Sequence, residues 1–154
     1  MFLPTSDSIQ IFYQLLLAVF LGAIIGFERE VRGKPAGLRT YAMVALGACL
    51  FTVISIDGFT AFSGNSNFDP ARIASNVVVG IGFLGGGLIF LKGDAVRGLT
   101  TAAGLWISAA IGVAVGAELY WPAVFATAIA LVILIILKWL EFFIHRGRVD
   151  EVSL

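Results

Sequence analysis

The sequence predicts an all-α membrane protein with about five transmembrane helices, its N-terminus outside and its C-terminus in the cytoplasm. Three observations predict it. Hydrophobic residues make up 59% of the 154 positions and charged residues 13%, more apolar surface than a soluble domain of this length can hide. Five apolar runs are each long enough to cross hydrocarbon as a helix, which takes about 20 residues. Of the 10 Lys and Arg residues, all but Arg72 fall on one side of these runs.

The spans are placed at Ile9–Phe27, Leu38–Ile56, Ile73–Leu91, Leu99–Ala117 and Trp121–Leu140. The first opens behind Thr5, Ser6, Asp7 and Ser8, all good N-cap residues. The segment before it lacks the positive n-region of a cleaved signal peptide, so this run is expected to stay as a span. The third opens at Asp69-Pro70, an N-cap acid followed by Pro at the first helical position, where its missing N–H costs nothing. Only Glu118, Leu119 and Tyr120 part the fourth span from the fifth, a tight connection. The fifth ends in the bulky run Leu131–Leu137, as a lipid-facing peripheral helix would. A membrane domain over 1–144 and a short cytoplasmic tail over 145–154 follow.

Orientation rests on the cations. Arg29, Arg32, Lys34 and Arg39 lie between spans one and two, Lys92 and Arg97 between three and four, and Lys138, Arg146 and Arg148 at the end of span five. Positive residues favour the cytoplasmic side, which leaves the N-terminus outside and requires an odd number of spans.

The chain also repeats itself at a spacing of about 60 residues. Gly22, Gly26, Arg32 and Gly33 align with Gly82, Gly86, Lys92 and Gly93. One inserted residue later, Gly37-Leu38-Arg39-Thr40 aligns with Gly98-Leu99-Thr100-Thr101. Spans one and two would match spans three and four as a parallel repeat about an axis along the membrane normal, with span five added. Gly-x-x-x-Gly pairs at Gly22/Gly26, Gly82/Gly86 and Gly112/Gly116 are expected to pack helices closely, within the chain or between two copies as a homodimer.

The span centres hold no ionisable side chain; Asn76, Ser108, Thr52 and Cys49 are the strongest polar groups at depth. That disfavours a proton relay or a carboxylate ion site at the midplane. A single Cys, Cys49, excludes a disulfide framework, and His145 alone builds no His/Cys metal site. Zero net charge gives no sign of a nucleic-acid partner. There is no Ser-His-acid set, and Gly82-Phe-Leu-Gly-Gly-Gly lies mid-span with no strand before it, so a dinucleotide site is rejected and no catalytic residue is assigned.

The dense chemistry sits at the cytoplasmic rim. Glu28, Arg29 and Glu30 close span one, and Lys92, Asp94 and Arg97 hold the matching place in the second half. Arg39 opens span two, where hydrocarbon and the helix dipole both disfavour a cation, so Glu28 or Glu30 is its expected mate. Two readings stand here: an interfacial salt-bridge network that fixes helix ends, or a surface that binds a phosphate, lipid headgroup, cation or protein. Carboxylates suit Mg²⁺, but the neighbouring Arg and Lys compete, so Mg²⁺ is the one cofactor considered and no metal site is assigned.

Three blocks together resemble the MgtC/SapB family, in its N-terminal membrane domain. They are Gly26-Phe-Glu-Arg-Glu-Val-Arg-Gly-Lys-Pro-Ala-Gly-Leu-Arg-Thr40, Asp69-Pro-Ala-Arg-Ile-Ala74 running into Gly80-Ile-Gly-Phe-Leu-Gly85, and Gly98-Leu-Thr-Thr-Ala-Ala-Gly-Leu-Trp106. The match covers Gln14 to Leu137. The family's motif positions fall here on Glu28, Arg29, Gly33, Gly37, Arg39, Thr40, Asp69, Arg72, Gly80, Gly82, Gly85, Gly98, Leu99, Thr100, Thr101 and Trp106. Position 86 is Gly where Ala is common, and the soluble cytoplasmic domain of many relatives has no counterpart in this short form. The resemblance implies a multi-pass protein of the bacterial inner membrane, linked to growth at low magnesium and to virulence. Some relatives restrain the proton-driven ATP synthase, which makes that enzyme a candidate partner beside the lipid bilayer and a second copy.

The expected function is therefore a non-enzymatic membrane regulator acting through a membrane partner, with a small Mg²⁺-linked or other ion transporter or channel as the alternative. The candidate functional residues are Glu28, Arg29, Glu30, Arg39, Thr40, Asp94, Thr100 and Thr101 at the rim, and Asp69 and Arg72 on the outer side.

Overall fold

A computed structural model describes residues 6–58, 69, 71–93, 95–137 and 139. Five helices follow one another: α1 (Ser6–Val31), α2 (Leu38–Ile56), α3 (Arg72–Leu88), α4 (Leu99–Gly116) and α5 (Tyr120–Val132), the last running into a π-helical turn at Ile133–Leu137. Two short strands, β1 (Phe90–Lys92) and β2 (Ala95–Arg97), pair antiparallel between α3 and α4, with Phe90 opposite Arg97 and Lys92 opposite Ala95. The segments Ser8–Val31, Leu38–Ile56 and Leu99–Gly116 are long and apolar enough to cross a membrane, while Arg72–Leu88 and Tyr120–Ile136 are shorter apolar helices.

The hairpin corrects the expected third span, which ran on to Leu91. Helix α3 stops at Leu88 because Ile89 turns to extended backbone. Gly93 has a φ of +61° and permits the tight reversal after β1. The start of α3 differs as well. The helix begins at Arg72, and Asp69 accepts the Ala71 N–H at 2.9 Å. Ser55 of α2 takes the next donors, with its Oγ accepting from Ile73 N at 3.2 Å and Ala74 N at 3.3 Å.

Helix α4 is the centre of the bundle, in contact with α1, α2, α3 and α5. Its packing on α2 depends on missing side chains. A Cβ at Gly116 would lie 2.7 Å from the Cys49 carbonyl oxygen, and one at Gly112 would collide with the Ala45 carbonyl. The α1–α2 contact works the same way: a Cβ at Gly22 would lie 2.7 Å from the Tyr41 carbonyl oxygen, and one at Gly26 2.7 Å from the Leu38 Cα. Close backbone approach is how helices gain packing energy in lipid, where burial of apolar surface gives little. Gly112 and Gly116 thus belong to the interior of the bundle and not to a dimer face.

Helix α3 is the exception. Of its residues only Ile81 and Gly85 are buried, and Gly82 and Gly86 face open space. This overturns their expected role in packing within the chain. The repeat is obeyed at the turns, where Gly33 and Gly93 share a φ near +60° and Gly37 and Gly98 each cap the following helix. It is not obeyed by the helix glycines, since Gly22 and Gly26 are packed and Gly82 and Gly86 are not.

Candidate functional site at the basic end of the bundle

The C-terminus of α1, the hairpin and the N-termini of α2 and α4 meet at one end of the bundle. Arg29, Arg32, Lys34, Arg39, Lys92 and Arg97 all belong to it. Helix α1 closes with Gly33 in the left-handed region, its N–H donating to the Glu30 carbonyl at 2.9 Å and the Lys34 N–H to the Arg29 carbonyl at 3.0 Å. This double bond pattern satisfies the last carbonyls of the helix and turns Lys34 and Pro35 back toward α4.

Arg29 is 3% exposed. Its Nη1 lies 3.4 Å from Oε2 of Glu28, and Arg32 pairs with the other oxygen of that carboxylate. Both contacts are ion pairs, not directed hydrogen bonds, and the Nε of Arg29 has no hydrogen-bond partner. An N–H without an acceptor in a buried place costs stability unless a ligand or solvent supplies one.

Glu30 does different work. Its Oε2 accepts the Leu38 N–H at 2.9 Å and so caps α2, in the place where the helix dipole favours a negative group. The sequence had assigned Glu28 or Glu30 as the mate of Arg39. The structure corrects this: Glu28 is shared by two arginines of its own neighbourhood, and Glu30 is committed to the α2 N-terminus. Arg39 is exposed and forms no ion pair among the described residues. It stands with Thr40 at the basic end of a separate apolar groove of about 620 Å³ between α2 and α3, along which lie Phe51, Asn76 and Gly80.

Arg29, Thr100 and Thr101, from the predicted rim, do come together. They line an open cavity of about 770 Å³ with Lys34, Arg97 and Gly98. Phe90 and Leu134 supply apolar wall. Gly98 has a φ of +91° and lies against the Leu88 carbonyl where any Cβ would collide, so only glycine fits the entry to α4. Thr101 is buried, and its carbonyl accepts the Tyr41 hydroxyl at 3.1 Å. Lys34, Phe90 and Arg97 were not singled out by the sequence as site residues. Their signal was present for two of them, because Lys34 and Arg97 belong to the same excess of cations that sets orientation.

Asp94 lies outside the described residues. Asp69 and Arg72 sit at the opposite end, where Asp69 holds the turn into α3 and Arg72 forms no ion pair among the described residues. Two of the polar groups at depth are used internally, Thr52 donating to the Ala48 carbonyl at 2.8 Å and Ser108 to the Tyr41 carbonyl at 2.9 Å, while Asn76 is exposed along the α2–α3 groove. Among the described residues, no three of His, Cys, Asp and Glu gather to hold a metal ion.

Known proteins resemble this chain in sequence over most of its length. The MgtC family model matches residues 15–143. The chain is 49% identical over 121 residues to Protein MgtC of Brucella abortus (strain 2308), an alignment covering 79% of this chain and 48% of that protein. It is 44% identical over 144 residues to an uncharacterized protein of Haemophilus influenzae, covering 91% of this chain and 60% of that one. It is 39% identical over 131 residues to the "Putative magnesium transporter YhiD" of Escherichia coli (strain K12), covering 84% and 61%. The chain thus spans about half to three fifths of the length of these relatives. No solved structure matches. The family model covers most of the chain and these relatives are 39–49% identical to it, so the chain belongs to the MgtC family.

Proposed function

We propose that this chain is a non-enzymatic, multi-pass protein of the bacterial inner membrane that supports growth at low magnesium by recognising a ligand or membrane partner at its basic end. Membership of the MgtC family and the printed name of the YhiD relative support the link to magnesium. The observation that carries the choice of surface is the contrast between the two regions. Thr52 and Ser108 in the bundle interior donate to backbone carbonyls, whereas the basic end holds a buried guanidinium whose Nε has no partner, beside a cavity lined by Lys34 and Arg97. The excess of Lys and Arg at that end supports a cytoplasmic location for it. A role in virulence, a homodimer and a partner such as the proton-driven ATP synthase extend this reading by family likeness.

The test is growth. A strain lacking the gene is complemented with the double variant Lys34→Gln, Arg97→Gln, whose side chains are exposed and outside the core. The variant should reach normal membrane levels and fail to restore growth at low Mg²⁺. Full restoration would remove the basic end from the function.

Transport is the second reading, favoured by the name printed for the YhiD relative. Purified chain in proteoliposomes should carry no Mg²⁺ flux above empty vesicles. A saturable flux would replace the regulator reading with this one.

A further inference from the structure

The two halves of the repeat begin their second helices differently. The spacing sets Glu30, Gly37 and Leu38 against Phe90, Gly98 and Leu99. In the first half the Glu30 carboxylate accepts the Leu38 N–H. In the second half that carboxylate is replaced by Phe90, and the N–H groups of Leu99, Thr100 and Thr101 have no acceptor among the described residues. A helix start with open donors is electropositive and favours anions.

A helix start alone makes no site. The independent observation is Arg29, which comes from a different helix, is only 3% exposed, has an Nε buried without a hydrogen-bond partner, and lines the same cavity. Its Nη1 already faces Glu28. Lys34 and Arg97 add two cations, and no carboxylate lies among the cavity's described lining residues. Gly33, in the left-handed region, leaves open space on the cavity where a side chain would stand. A volume of about 770 Å³ with apolar wall from Phe90 and Leu134 suits an oxyanion attached to an organic group better than a bare ion.

We propose that this cavity binds a phosphate-bearing anion, with Arg29 Nε and the N–H groups opening α4 as donors and Lys34 and Arg97 at its rim. The proposal rests on the reading of the basic end as the working surface and names what that surface takes. Two sources share the chemistry, a soluble phosphate compound and the headgroup of an anionic lipid.

The experiment uses the full chain in nanodiscs of phosphatidylcholine, titrated with inorganic phosphate and followed by ³¹P line broadening and calorimetry. A parallel arm uses nanodiscs containing phosphatidic acid. Phosphate should bind in phosphatidylcholine. Phe90→Glu, which puts a carboxylate where the first half has one, should weaken binding about tenfold or more, the loss expected when a charge-assisted hydrogen bond is removed. Lys34→Gln with Arg97→Gln should weaken it with the fold intact, and it keeps the test open if Phe90→Glu fails to fold. Phosphate binding equal in both nanodiscs identifies a soluble ligand. Binding seen in phosphatidylcholine and blocked by phosphatidic acid identifies a lipid headgroup. No binding in either arm, or binding indifferent to both variants, overturns the anion site. The functional reading fails separately: if Phe90→Glu loses phosphate yet restores growth at low Mg²⁺, the anion site stands and the basic end is not what supports growth.

Discussion

Ser108 of α4 donates its hydroxyl to the backbone carbonyl of Tyr41 on α2, at 2.9 Å and with both residues buried. The Tyr41 hydroxyl returns the contact to α4 by donating to the Thr101 carbonyl at 3.1 Å. One tyrosine is therefore held at its backbone and at its ring tip by the same helix, over two turns. Tyr41→Phe should lower stability by about 1 kcal/mol, since it removes one buried hydrogen bond between the two helices. Gly104→Ala should cost more, about 1–3 kcal/mol, because its Cβ would meet the Tyr41 hydroxyl. Unfolding in mixed detergent, followed by circular dichroism, orders the two.

Glu28 neutralises a guanidinium that the bundle has already buried. Its side chain is 10% exposed and that of Arg29 4%. Glu28→Ala should destabilise by about 3 kcal/mol, most of it the cost of leaving Arg29 uncompensated. The paired change Glu28→Ala with Arg29→Met should recover most of that loss. A double variant no more stable than Glu28→Ala would show that the two side chains act independently.

The turn from α4 to α5 carries a non-glycine residue where glycine is usual. Glu118 has a φ of +63°, its N–H donates to the Val115 carbonyl at 3.0 Å, and the Leu119 N–H reaches Ala114 at 2.8 Å. Its carboxylate accepts from Gln10 Nε2 at 2.7 Å, tying the start of α1 to this turn. Glu118→Gly relieves the backbone and loses the side-chain bond; Glu118→Ala loses the bond and keeps the strain. The Gly variant should be the more stable by about 1 kcal/mol, read as a difference in thermal midpoint.

The glycines should divide by location. Gly116→Leu should abolish the folded bundle, as its side chain would enter the Cys49 carbonyl and Thr52. Gly86→Leu should leave the helical spectrum and the elution volume unchanged, as nothing among the described residues lies within 4 Å of a Cβ placed there. Equal tolerance at the two positions would contradict the α2–α4 interface.

Orientation is checked in intact cells lacking Cys49. An impermeant thiol reagent added outside should label Ser66→Cys, in the stretch between α2 and α3, and spare Lys92→Cys on β1. Reversed labelling would put the basic end outside.

Much of this fold could be read in advance, and the gaps have physical causes. Helices α2 and α4 fall within a residue of the expected spans, because Gly37 and Gly98 mark their starts and hydropathy carries them. The hairpin was hidden because Phe90 and Leu91 continue the apolar run of α3. The Gly93-Asp94 pair was its one local sign, a dipeptide that suits a two-residue reversal. Arg39 was misread because sequence distance put two carboxylates near it, while spatial competition assigned one to a helix start and the other to Arg29 and Arg32. Arg29, Thr100 and Thr101 were legible as a group through the repeat. That Arg29 would be buried, and its Nε left open, was not, since burial depends on how α4 crosses α1.

The central place of α4 has a bearing on how the chain is made. A nascent chain leaves the ribosome in order, so α1 and α2 reach the bilayer first and can form their glycine-lined hairpin alone. Helix α3 follows with a face almost wholly uncovered, and its few buried residues include Gly85, whose nearest neighbour across the interface is Ala102 of α4. Until residues 99–116 have been synthesised and released into the membrane, α3 has little to rest on and the cavity beside Arg29 lacks a wall. Assembly of this protein is thus gated by its fourth helix, and slowing translation just before Gly98 should prolong a state in which α3 is open to proteolysis or to capture by an insertion chaperone.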